Sequence, residues 1–60
     1  MDAQRVRVMV VDDNPIVSAG LASLLSEDPR IEVIDRVESG LVAFARVAAD
    51  RPDVVLMDLE

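Results

Sequence analysis

The sixty residues predict an α/β fold: a parallel sheet built in the order β-α-β-α-β. Three observations carry that expectation. Apolar, largely β-branched runs at residues 5–11, 31–37 and 54–57 read as strands. Two stretches of helical periodicity lie between them, each long enough for a crossover. Clusters of Pro, Gly, Asp and Asn punctuate the junctions. Strands alternating with helices in this way form a parallel sheet covered on its faces and joined by right-handed connections.

The first strand opens as alternation, Arg5-Val6-Arg7-Val8, and becomes continuously apolar through Val11. That suits a strand covered on both faces in its later half. Asp12-Asp13 closes it. Asn14 followed by Pro15 is a helix start, with an N-cap side chain and a proline at the first helical position. The helix should run from Pro15 to about Glu27, with Val17, Leu21, Leu24 and Leu25 as its core-facing stripe. Gly20 inside it suggests close approach to a sheet. "SEDPR" ends it, since the residue before Pro29 disfavours helical geometry.

Residues 31–37 mix β-branched and charged side chains, as an edge strand does. Ser39-Gly40 opens a second helix to about Asp50, with Ala43, Phe44 and Val47 sharing one face. Leu41, Val42, Ala45 and Ala48 would then leave its solvent side apolar. Arg51-Pro52-Asp53 breaks this helix, and residues 54–57 form a third strand of buried type.

Composition narrows the function. A formal charge of -6 with a single aromatic, Phe44, argues against this segment binding nucleic acid. There is no cysteine, hence no disulfide and no thiolate metal site. The N-terminus lacks the apolar core of a signal peptide, and no apolar run reaches the ~20 residues of a membrane span. Cytoplasmic location is the expectation. Burial should contribute on the order of 85 kcal/mol and chain ordering cost roughly 90. The sixty residues alone are therefore marginal.

In such sheets ligands sit beyond the carboxyl ends of the strands. Asp12 and Asp13 end the first strand and Asp58 follows the third, and a 2-1-3 order makes those strands neighbours. Each acid taken singly is ordinary as a turn or cap residue; their joint placement is not. Gathered carboxylates repel unless a cation intervenes, and oxygen-only ligands suit Mg²⁺. A carboxylate beside such an ion can act as a nucleophile toward phosphorus.

"VMVVDDNPIVSAGLASLL" followed by "RPDVVLMDLE" closely resembles the receiver domain of bacterial two-component response regulators, and most of all its LuxR/NarL-type subfamily. The resemblance covers essentially the whole chain. It implies a flavodoxin-like, doubly wound fold with the order 2-1-3 in this portion, residues 1–60 being the N-terminal half of a receiver. It implies that Asp58 accepts a phosphoryl group from a sensor histidine kinase. Asp13 is then a direct Mg²⁺ ligand, Asp12 acts mostly through water, and Glu60 contributes its backbone carbonyl. Asn14 stands where this subfamily often has histidine. The family's later Ser/Thr and Lys, and any DNA-binding output domain, would lie beyond residue 60.

Two other readings compete. The chain can serve only as an interaction or assembly module, self-associating without phosphotransfer. An aspartate-nucleophile phosphatase of the haloacid dehalogenase type fits poorly, since it wants Asp-x-Asp where this chain has adjacent acids. Either way the isolated chain, with "VVLM" as an unpaired edge, should associate or fold poorly.

Overall fold

A computed structural model describes residues 5–58. Three parallel strands, β1 (Val6–Val11), β2 (Ile31–Val37) and β3 (Val54–Met57), alternate with two helices, α1 (Pro15–Ser26) and α2 (Gly40–Asp50). The sheet order is β2-β1-β3, as the sequence predicts. β1 is central, with a helix packed over each of its faces; Met9 and Val10 are fully buried. Met9 and Val11 pack with Val37 and Ala43 on the α2 side. Val8 and Val10, by alternation, serve the α1 side.

β2 carries an irregularity that no sequence pattern announces. Val8 pairs with Val33 but Met9 pairs with Asp35, so Ile34 is an extra residue. The slip reverses the phase of β2. Ile31 and Val33 share a face with Val6 and Val8, whereas Asp35 and Val37 share a face with Met9 and Val11. One strand thus furnishes both layers, and Asp35 is turned toward α2.

The helix starts are those expected. Asn14 Oδ1 accepts from the N–H groups of Ile16 and Val17, at 2.9 and 3.3 Å. Ser39 Oγ accepts from Val42 N–H at 3.3 Å. α2 ends on Arg51 in the left-handed region (φ 53°), its N–H donating to the Val47 carbonyl.

Helix orientation differs from expectation in both cases. On α1 the inward positions are Ser18, Leu21, Ala22 and Leu25, while Val17 and Leu24 are exposed. Small Ser18 and Ala22 let the helix settle on β1 and β2. Gly20 plays no part in that approach; a Cβ there would meet nothing within 4 Å. On α2 only Ala43 is buried, and Phe44 points to solvent with 84% of its surface exposed. The cause is polar anchoring. Arg46 donates to both carboxylate oxygens of Asp35, at 3.1 and 3.0 Å. Arg7 donates to the backbone carbonyls of Asp50 and Arg51. These contacts pull the Arg46–Asp50 side of α2 onto the sheet and rotate Phe44 outward.

The same anchor sets two acids against each other. Arg46's hydrogen bond holds Asp35 below the usual carboxylate range. Asp50 is pushed above it, because its contact with Asp35 is a hydrogen bond only while Asp50 carries the proton, and burial adds to the shift. Without that proton its buried Oδ2 faces no donor.

β3 is the edge expected of "VVLM", but it is not buried as the type of its sequence suggests. Its apolar sequence reads as a buried strand, yet all four residues are exposed, at 38–49%. Both helices pack over β1 and β2, which leaves β3 as an edge.

Candidate functional site

The site lies where all three strands end. Beyond Val11 the chain bends, and Asp12 N–H still donates to the Val37 carbonyl at 3.0 Å, extending the β1–β2 ladder by one residue. This tucks Asp12 inside; only 4% of its surface is exposed. One carboxylate oxygen, Oδ1, accepts from the Asn14 N–H at 2.8 Å. The other, Oδ2, is buried and has no hydrogen-bond partner. An ionised oxygen in that position costs several kcal/mol, to order of magnitude, unless a cation or a proton meets it.

Asp13, next in the chain, is exposed. Asp58 arrives from the other side: its N–H donates to the Val11 carbonyl at 3.1 Å, continuing the β1–β3 pairing past the end of β3. That bond places the third acid beside the first two. Asp12, Asp13 and Asp58 line one open cleft of about 340 Å³, with Val11, Glu38, Ser39, Gly40 and Met57 as the remaining wall. On the α1 side of Asp12 and Asp13 a second hollow, of about 170 Å³, is bounded by Pro15, Ser18, Arg36 and Glu38.

The three acids expected from sequence therefore share a site. Glu60, the fourth expected contributor, lies outside the described residues. Glu38 and Ser39 were not singled out as site residues. They follow β2 as Asp12 and Asp13 follow β1, so their position at a strand's carboxyl end was the available signal.

The donors facing the cleft are oxygens, a set that suits a hard divalent cation such as Mg²⁺. Among the described residues no three acids converge closely enough to cage an ion alone. Mg²⁺ asks for less, keeping several waters and one or two carboxylates beside phosphate oxygens. The unpartnered Asp12 Oδ2 is the feature of this fold that fits such an ion.

Comparison with known proteins agrees with this geometry. Residues 8–60 match the response regulator receiver domain family. The chain is 43% identical, over its full length, to a protein-glutamate methylesterase/protein-glutamine glutaminase of Rhodopseudomonas palustris. It is 48% identical over 98% of its length to a protein of the same description from Myxococcus xanthus. It is 44% identical over 90% of its length to the DNA-binding transcriptional activator DevR/DosR of Mycobacterium tuberculosis. The chain spans only 16%, 17% and 25% of those three relatives. Relatives with an enzymatic and with a DNA-binding description both appear, so the likeness does not single out the LuxR/NarL-type subfamily. No solved structure is matched at the same stringency.

Proposed function

The chain belongs to the response regulator receiver domain family, and from that premise we propose that Asp58 is its phosphoacceptor. One observation supports the reading most. The Asp58 N–H is bonded to the Val11 carbonyl, which brings its carboxylate into the same cleft as Asp12 and Asp13. An oxygen of the ionised Asp58 attacks phosphorus of a phosphohistidine on a sensor histidine kinase. The P–N bond breaks as the P–O bond forms, and the departing imidazole keeps the P–N electron pair and takes a proton from water. The product is an acyl phosphate on Asp58.

Asp13 would hold Mg²⁺ directly, with Asp58 and the Glu60 backbone carbonyl. Asp12, already committed through Oδ1 to the Asn14 N–H, would act mainly through water. When bound, Mg²⁺ offsets charge on the phosphoryl oxygens. The protein then acts as a regulated acceptor in the cytoplasm, not as a turnover enzyme in this portion. The output it controls is read here as DNA-binding, on the strength of the "VDDNPIVSAGL" resemblance and the DevR/DosR likeness. A downstream reading frame encoding a methylesterase would replace that part of the proposal.

The test is labelling of the parent protein by kinase or by acetyl phosphate. Asp58→Asn should abolish it. Undiminished labelling in that variant refutes the assignment.

A further inference from the structure

The outer face of α2 carries an unused pattern. Leu41, Phe44, Ala45 and Ala48 lie within about 100° of one another around the helix, on the side away from buried Ala43. All four are exposed, Leu41 and Phe44 at 84% each. Two exposed charges flank this helix in the sequence. Glu38 stands just before the helix and Arg51 just after it, and neither forms an ion pair among the described residues.

We propose that this face binds a second copy of the chain, with the two α2 helices antiparallel about a two-fold axis passing between Phe44 and Ala45. The sequence is self-complementary in that register alone. Leu41 then meets Ala48 of the other copy, Phe44 meets Ala45, and Glu38 meets Arg51. Each large side chain faces a small one, which lets the helices interdigitate, and each acid faces a base. An isologous contact makes every such pair twice. The area is modest: two copies of Phe44 and Leu41 bring on the order of 600 Å², below the ~1,200 Å² of a standard interface. The contact is therefore a weak, reversible one that rises with concentration. It does not depend on phosphoryl transfer at Asp58.

The test is sedimentation equilibrium of the chain from roughly 10 μM to 1 mM, a range that brackets weak association. The unmodified chain should form dimers and nothing larger. Phe44→Glu should lower the association constant by about tenfold or more, as loss of a central aromatic anchor does. Leu41→Ser serves if that variant loses its helical circular dichroism. Glu38→Arg and Arg51→Glu should each weaken association by at least about threefold when alone. An equimolar mixture of the two should regain it, because the unlike pair restores both bridges. A monomer across the range overturns the proposal. So does unlimited assembly, association that ignores Phe44→Glu and yields instead to Val55→Lys on the β3 edge, or a charge-variant mixture no tighter than its components.

Discussion

Asp12 and Asp13 are adjacent in the chain and opposite in circumstance: one is buried with an oxygen committed to the Asn14 N–H, the other is exposed. Asp13→Ala should therefore weaken Mg²⁺ binding more than Asp12→Ala, while leaving the melting transition nearly unchanged. Without Mg²⁺, Asp12→Ala should raise stability by about 1 kcal/mol or more, since loss of the buried unpartnered oxygen outweighs the one loop N–H left without its acceptor. Divalent-ion titration and urea melts of both variants separate these effects, and equal losses of Mg²⁺ affinity would count against the division of roles. Elsewhere, Asp28 is held down at about 2 by hydrogen bonds from Arg30. Its folded value lies below the ~3.9 of an unfolded aspartate, so its contribution is complete above about pH 4 and is lost on acidification toward pH 2. Carbon-detected NMR titration should place its midpoint near that low value and return it to the ordinary range in Arg30→Ala. The acidic triad was legible because residue type and strand-end position coincide. The orphaned oxygen of Asp12 was not, because it depends on how one residue's N–H closes the β1–β2 ladder.

At the scale of elements, caps and breaks were written locally and could be read. Asn14-Pro15 and Ser39-Gly40 start helices as expected, and Asn14→Ala should cost about 1 kcal/mol in a urea melt because two N–H groups lose their acceptor. Arg51 occupies a left-handed conformation that favours glycine. Arg51→Gly should stabilise the fold by a few tenths to about 1 kcal/mol, and an unchanged or lowered denaturation midpoint would contradict the strain assigned to it. Helix rotation was the illegible part. The apolar face of α2 lies opposite the one that packs on the sheet, since Arg46 and Asp50 share the side of buried Ala43, and Phe44 looked like core by size alone. The choice was made by Arg46, and only because the extra residue Ile34 turns Asp35 toward that helix. On α1, Leu21 and Leu25 face inward as expected, but Ser18 and Ala22 complete the stripe in place of Val17 and Leu24. The larger pair suggested the stripe, whereas the sheet admits the smaller one.

For the molecule as a whole, the direction of the strands followed from the alternation of elements and their order from the family resemblance, while burial followed from neither. Its accessible surface of 4444 Å² exceeds the ~3,800 Å² expected of a compact monomer of this mass. Large apolar side chains stand exposed on β3 and on both helices, among them Ile16, Leu24, Leu41, Phe44 and Met57. No helix among the described residues is long and apolar enough to cross a membrane. Protection should grade across the sheet. Hydrogen exchange by NMR should find the β1 amides slowest, those of β2 intermediate and those of β3 fastest; β3 as slow as β1 would mean that the edge is covered in solution.

The bond from the Asp58 N–H to the Val11 carbonyl joins the ends of β3 and β1, and this has a kinetic meaning. β1, α1 and β2 can close on one another through a short connection. β3 can dock only after a second crossover has been ordered, at a larger loop-closure cost. The acidic cleft thus comes into being later than the β1–α1–β2 unit. During synthesis, a chain emerging from the ribosome holds Asp12 and Asp13 long before it holds a site, and gains one only when residue 58 has cleared the exit and found its place beside Val11.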